Sequence, residues 1–249
     1  MKISRLLRIL GGVAFVGALF SAAPALTASA APAGLTCTGG AIAPGTYAWI
    51  NVTGSCAVPT GRVFVLGNFT VSTDAAFDGS SPAAQIIIYG DVKVDPGAVF
   101  VLGCSIHFGC ETTTSDRIEG HVYANRPLEV IFHSDSIHKG ITVSGGGGGY
   151  SPLCASNGAF SDFEDNLISG DLTISGMQSC WLGLFRNVVN GTVTVKNNLM
   201  GDPDANEVAT NRIFGNLACY NNTPPAQVGD SGGLPNHVTG HKLGECASL

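Results

Sequence analysis

Between residues 116 and 139 the chain gathers acids, imidazoles and cations at spacings that bring them onto neighbouring strands. Arg117, Glu119, His121 and Tyr123 alternate with other residues, and His133, Asp135, His138 and Lys139 follow a short way on. Alternation points the first four outward, and stacked strands lie about 4.8 Å apart, so Glu119 and His138 are expected side by side. A carboxylate next to an imidazole is the equipment of general acid–base chemistry, which makes Glu119, His121, Asp135 and His138 the candidate catalytic set. The same residues also read as a solvated sheet face laced by cross-strand ion pairs. A second cluster, Asp202-Pro-Asp204-Ala-Asn206-Glu207, offers hard oxygens at alternate positions. Asp202, Asp204 and Asn206 are therefore candidate calcium ligands, although the loop lacks the glycine and the closing glutamate of a full calcium loop. An acidic loop between structural repeats is the competing reading.

The segment Gly229-Asp230-Ser231-Gly232-Gly233 resembles the nucleophile loop of chymotrypsin-like serine proteases, in which the serine attacks and nearby amides hold the oxyanion. The rest of that constellation is missing. No Ala-Ala-His-Cys segment supplies a base, and only 18 residues follow Ser231. A Gly-rich turn is expected there. Gly145 to Gly149 form a glycine run in the widest insertion, and Trp181 beside Cys180 suits either sugar stacking or packing on a disulfide.

The elements that must position these residues follow from one recurring pattern. An apolar anchor is followed by a spacer, glycine, a spacer and two apolar residues in alternation. Copies are Val65-Leu-Gly67-Asn-Phe69-Thr-Val71, Ile88-Tyr-Gly90-Asp-Val92-Lys-Val94 and Ile168-Ser-Gly170-Asp-Leu172-Thr-Ile174. Anchors fall at Val65, Ile88, Ile118, Ile137, Ile168, Val189, Ile213 and Val238, so the coils of a solenoid are expected, with excess residues in outer loops. Val92, Val94, Leu172, Ile174, Val193 and Val195 should point inward, and Lys93, Asp171, Thr173, Thr192 and Thr194 outward. Asp116, Asp135, Asn166, Asn187 and Asn211 each stand two residues before an anchor, at a corner where Asn and Asp tolerate left-handed backbone. Stacked above one another they form a ladder with a structural role.

Lys2, Arg5 and Arg8, the apolar run from Ile9 to Phe20 and the sequence Ala28-Ser29-Ala30 read as an export signal. The expected organisation is a signal peptide over 1–30, an N-terminal cap over 31–60, and a parallel β-helix with a closing segment over 61–249. The mature chain keeps nine basic against eighteen acidic residues, a net charge of −9. That balance, without a basic stripe, argues against nucleic-acid binding. No cysteine stands immediately after the cleavage site and no apolar tail ends the chain, so neither a lipid anchor nor membrane insertion of the mature chain is expected. All eight cysteines, at 37, 56, 104, 110, 154, 180, 219 and 246, lie in the mature region, and an even count in an exported chain favours disulfides. Nearest-neighbour pairing is expected, although sequence alone does not fix connectivity.

The repeat resembles right-handed parallel β-helix proteins exported by bacteria. The tail from Gly215-Asn216-Leu217-Ala218-Cys219 through Gly229 to Asn236 and Cys246 resembles a group of uncharacterised secreted proteins of Gram-positive bacteria. The resemblance implies an all-β, right-handed parallel β-helix with disulfide-stapled ends. Such folds host pectin-degrading enzymes, adhesins and inert structural proteins, so fold alone does not choose among them. The first expectation is a secreted, extracellular, non-catalytic solenoid that presents a polar sheet face to a glycan, a cell-envelope component or a protein, with no cofactor beyond possible calcium. The alternative is a polysaccharide lyase or hydrolase centred on Glu119, His121, Asp135 and His138. A structural matrix protein is the third.

Overall fold

The computed structural model describes residues 31–151, 154 and 158–249, and the expected signal segment 1–30 lies outside them. The chain winds as a parallel β-helix. Among the described residues, three long parallel sheets of ten, eight and nine strands run along the stack, and a fourth sheet has two strands. We call the three long ones the first, second and third sheets. Each coil contributes in turn to the third, first and second sheets, and every strand pairs with its counterpart about one coil away.

The eight apolar anchors align in one column of the third sheet. Val65 pairs with Ile88, Ile88 with Ile118, Ile118 with Ile137, and so on through Ile168, Val189 and Ile213 to Val238. In the first sheet Val92, Val94, Leu172, Ile174, Val193 and Val195 are all buried, while Lys93 and Asp171 are exposed and Thr173, Thr192 and Thr194 half-buried. Period-two alternation therefore has the phase read from the sequence. Residues 31–60, expected as an N-terminal cap, supply strands to the same three sheets. Leu35–Cys37 pairs with Ile50–Val52, which pairs with Phe69–Val71, so the stack already begins at Leu35. The disulfides join Cys37 to Cys56, Cys104 to Cys110, Cys154 to Cys180 and Cys219 to Cys246, the nearest-neighbour pairs.

The glycine of the repeat is required by backbone crowding, not by a left-handed φ. It sits at the corner between the third and first sheets, where coils touch backbone to backbone. A Cβ on Gly191 would lie 2.5 Å from the Gly170 carbonyl, and one on Gly215 would lie 2.5 Å from the Gly191 carbonyl. Amides of Gly191, Gly215 and Gly240 each donate to the glycine carbonyl of the coil before.

The corner between the second and third sheets carries the asparagine ladder. Asn166 accepts from the Asp135 amide, Asn187 from the Asn166 amide, Asn211 from the Asn187 amide and Asn236 from the Asn211 amide. Each asparagine Nδ2 also donates to a strand carbonyl, from Asn166 to Phe132, Asn187 to Phe163, Asn211 to Leu184 and Asn236 to Val208. The expectation that these residues are themselves left-handed is corrected by one position. At Asp135, Asn166, Asn187 and Asn211 the positive φ belongs to the residue before the rung, at Ser134, Asp165, Arg186 and Thr210. That residue turns the chain, and the rung behind it buries its amide. A second ladder links Met177, Asn198, Asn222 and Glu245, with Asn198 accepting from Met177 and Asn222 from Asn198.

Asp116 and Asp135 occupy two rungs of the first ladder but are acids. The Asp116 carboxylate accepts from the Ile86 amide. Among the described residues, neither Asp135 oxygen has a hydrogen-bond partner. Burial raises the Asp116 pKa to about 6, and burial together with the charge of Asp116 raises Asp135 well above its ordinary value. A carboxyl with a raised folded pKa binds more protons folded than unfolded. The contribution of Asp116 is therefore most favourable below about pH 4 and is lost as pH rises through about 6, and that of Asp135 is lost in the same direction. Asp135→Asn restores the rung chemistry of its neighbours. It is expected to stabilise the protein by about 1–3 kcal/mol at pH 8 and to flatten the fall in stability between pH 4 and 8. Denaturant unfolding at both pH values tests this, and equal stability at pH 8 would contradict it.

Candidate functional site

The outer face of the first sheet carries a row in register. Lys93 pairs with Tyr123, Tyr123 with Thr142, Thr142 with Thr173 and Thr173 with Thr194. Their neighbours at n ± 1 point into the core, so the row projects from one face. Along it lies a groove of about 490 Å³, lined by His121, Tyr123, His138, Lys139, Thr142 and Asp171 among others. Tyr123 is exposed, and its ring stacks on His121 with centroids 5.4 Å apart. At one side Glu119 forms an ion pair with Arg117 at 2.7 Å and contacts His138 Nδ1 at 2.6 Å. Asp171 is held by the Thr192 amide, which donates to its Oδ1. The groove thus offers an apolar ring face to stack on, with donors and acceptors around its edge.

Glu119, His121 and His138 thus meet on this surface as the sequence suggests, with Glu119 and His138 in direct contact. Asp135 does not join them. It is buried in the ladder beside Asp116, because the rung position is turned to the coil interior. The four-residue catalytic set is not assembled around one point.

Comparison with protein-family models, with curated proteins and with solved structures finds no match. The site is therefore interpreted from its own geometry.

The outer face of the second sheet is unlike the first, for loops cover it. Ile131, His133, Asp162, Phe185, Glu207 and Ala209 all point outward yet are buried. Gly183 leaves room for two rings. A Cβ there would lie within 2.5 Å of both Trp181 and Phe185, whose rings stack 5.8 Å apart. Trp181 is thus on the outer face, and its Nε1 donates to Glu207 Oε1 at 3.2 Å. The same Glu207 oxygen accepts from Ser231 Oγ at 2.9 Å. The protease-like segment is therefore a turn latched to Glu207, and no histidine hydrogen-bonds to Ser231 among the described residues. Burial raises the Glu207 pKa, while the hydrogen bonds from Ser231 and Trp181 pull it back.

Nearer the middle of this sheet His133 Nε2 contacts Asp162 Oδ2 at 2.9 Å, and Arg186 bridges Glu164 and Asp165 at 2.5 and 2.8 Å. Burial and the charge of Asp162 push Glu164 up to about 7, with Arg186 opposing. Asp162, Glu164 and Arg186 were not among the residues singled out from sequence. The signal was present in Phe160-Ser-Asp162-Phe-Glu164, where two acids share one strand face, but it resembles any solvated strand. The calcium candidates fare differently. Asp202 Oδ1 accepts from the Asp204 amide as a local turn, while Asn206 is buried and donates to the Pro224 carbonyl. The glycine run is a left-handed segment in which Gly147 donates to Pro127 and Gly149 to Gln178, so backbone pairing, not looseness, sets its conformation.

Proposed function

We propose that this protein is a secreted, non-catalytic β-solenoid that binds a polysaccharide along the outer face of the first sheet, with the groove at Tyr123 as its anchor. The observation that carries this reading is the exposed Tyr123 ring set in a row of Lys93, Thr142, Thr173 and Thr194, with His138, Lys139 and Asp171 at its edge. A regular coil spacing near 4.8 Å offers repeated hydrogen-bonding groups to an extended chain, and an aromatic anchor supplies the central contact. The four disulfides suit an oxidising compartment such as the exterior of the cell. Among the described residues no helix is long and apolar enough to cross a membrane.

Affinity electrophoresis against a panel of neutral and acidic polysaccharides, followed by titration calorimetry on the retained ones, tests the reading. Tyr123→Ala is expected to weaken binding at least tenfold, and Lys139→Ala to weaken acidic polymers more than neutral ones. An unchanged affinity in Tyr123→Ala would remove the groove from the argument. A polysaccharide-active enzyme is the second reading, and the Glu119–His138 contact favours it. New oligosaccharides in the incubation, lost in Glu119→Gln, would replace binding by catalysis.

A further inference from the structure

Beneath the disulfide loop on the second sheet, three side chains with metal-binding atoms converge. His133 and Glu164 are register partners on adjacent strands, and Asp162 lies two residues before Glu164 on the same face. One ligand atom from each of the three lies within 4.8 Å of the other two. We propose that His133, Asp162 and Glu164 form a binding site for a divalent first-row transition ion of the zinc class.

Four observations carry the assignment. The first is an orphan: Asp162 is 2% exposed, and among the described residues its Oδ1 has no hydrogen-bond partner. An enclosed carboxylate oxygen without a donor is costly unless a cation completes it. The second is spacing. Two ligand atoms on one ion at about 2.1 Å stand about 3.0–3.4 Å apart at ordinary coordination angles. His133 Nε2 and Asp162 Oδ2 are 2.9 Å apart, so an ion enters by replacing the proton between them and with a small rotation of Glu164.

The third is charge. With all three acids ionised, Asp162, Glu164 and Asp165 bring three negative charges, and Arg186 supplies one positive charge. A divalent ion with neutral His133 brings this cluster to zero, which an enclosed site requires. The fourth is cover. The loop closed by Cys104–Cys110 carries a short 3₁₀ turn, Ile106–Phe108, which places the Phe108 ring 4.3 Å from the His133 ring. Ser105 Oγ in the same loop donates to Asp165 Oδ2 at 2.6 Å. The loop thus both shields the imidazole and ties itself to the acid next to Glu164.

The donor set decides the class of ion. One imidazole nitrogen and two carboxylates suit zinc, manganese or iron, whereas calcium wants six to eight oxygens. This site is separate from the sugar-binding face and does not depend on that reading.

The experiment uses the disulfide-bonded protein, stripped with EDTA, dialysed and titrated with zinc chloride in a calorimeter. Cobalt(II) loading is followed by visible absorption. One ion per chain is expected, together with a cobalt spectrum. His133→Ala and Asp162→Asn are each expected to weaken binding at least a hundredfold and to remove the spectrum. Glu164→Gln keeps the volume of the side chain and should weaken binding at least tenfold, so it decides the matter if either of the other variants fails to fold. His138→Ala, on the other face, should bind as the parent does. No stoichiometric zinc, or undiminished zinc binding in Glu164→Gln, would overturn the proposal. Equal affinity for calcium and zinc would overturn the assigned class.

Discussion

Replacing Asn187 by alanine is expected to cost about 3–5 kcal/mol of stability. Asn187 is buried at the middle of the ladder and makes four side-chain bonds. Its Oδ1 accepts from the Asn166 amide at 3.1 Å and from Asn166 Nδ2 at 2.9 Å. Its Nδ2 donates to the Phe163 carbonyl at 2.7 Å and to Asn211 Oδ1 at 3.0 Å. Truncation leaves three enclosed groups without partners: the Asn166 amide, one Asn166 Nδ2 hydrogen and the Phe163 carbonyl. At about 1–3 kcal/mol for each orphaned group, the loss exceeds what any surface change delivers. Because neighbouring coils share the ladder, the damage should spread to the adjacent coils. Hydrogen exchange at the Asn166 amide should accelerate as strongly as global stability falls. Asn187→Asp gives a further check. Its protonated form at pH 4 can keep part of the network, so it should be less damaging there than at pH 8. A loss below about 1 kcal/mol in Asn187→Ala would show that the ladder fixes corner shape without holding the coils together.

The second large effect concerns the core. Phe132→Ala should destabilise the protein by about 3–5 kcal/mol. Phe132 is fully buried, with ring centroids 5.3 Å from Phe100 and 5.9 Å from Phe163, in a column that continues to Phe77. Parallel sheets on all sides fix the backbone, so the cavity left by the ring collapses poorly, and the cost should lie toward the upper end. Phe132→Leu fills most of the volume and should cost roughly 1.5 kcal/mol or less. Denaturant unfolding of the two variants separates cavity formation from a general intolerance of change. Tyr123→Ala, on the solvated face, should move stability by no more than about 0.5 kcal/mol, which keeps its binding test free of unfolding.

These expectations rest on features that differ in how far they were legible along the chain. The anchors from Val65 to Val238, the inward phase of Val193 and Val195, and the column of corner asparagines were readable because each is a local consequence of period. Alternation fixes which side chain enters the coil, and a fixed repeat stacks like on like. The glycine of the repeat was legible as a mark of the coil. Its cause, backbone contact with the glycine of the neighbouring coil, is a distance between chain segments that no single copy displays. Placing left-handed φ on the rung instead of the residue before it has the same origin. Both residues lie at the corner, and only the path of the stacked backbone decides which of them turns.

By itself, then, the sequence determined an all-β parallel solenoid, the core-facing residues, the column of corner rungs and a polar outward band that includes Glu119, His121 and Tyr123. Tertiary structure alone decided which outer faces are open to water and which are roofed by loops. His133, Asp162 and Glu207 are at outward positions of their strands, and alternation marks them as solvated. They are buried because loops distant in sequence fold over them: Phe108 reaches His133, and the turn at Ser231 reaches Glu207. The separation of Asp135 from Glu119 and His138 was settled in the same way. All three lie within a span of twenty residues, but a coil turns its corner between them, and one side of that corner faces inward. Periodicity is a property of the strand, whereas burial of a polar side chain depends on what the rest of the chain places above it.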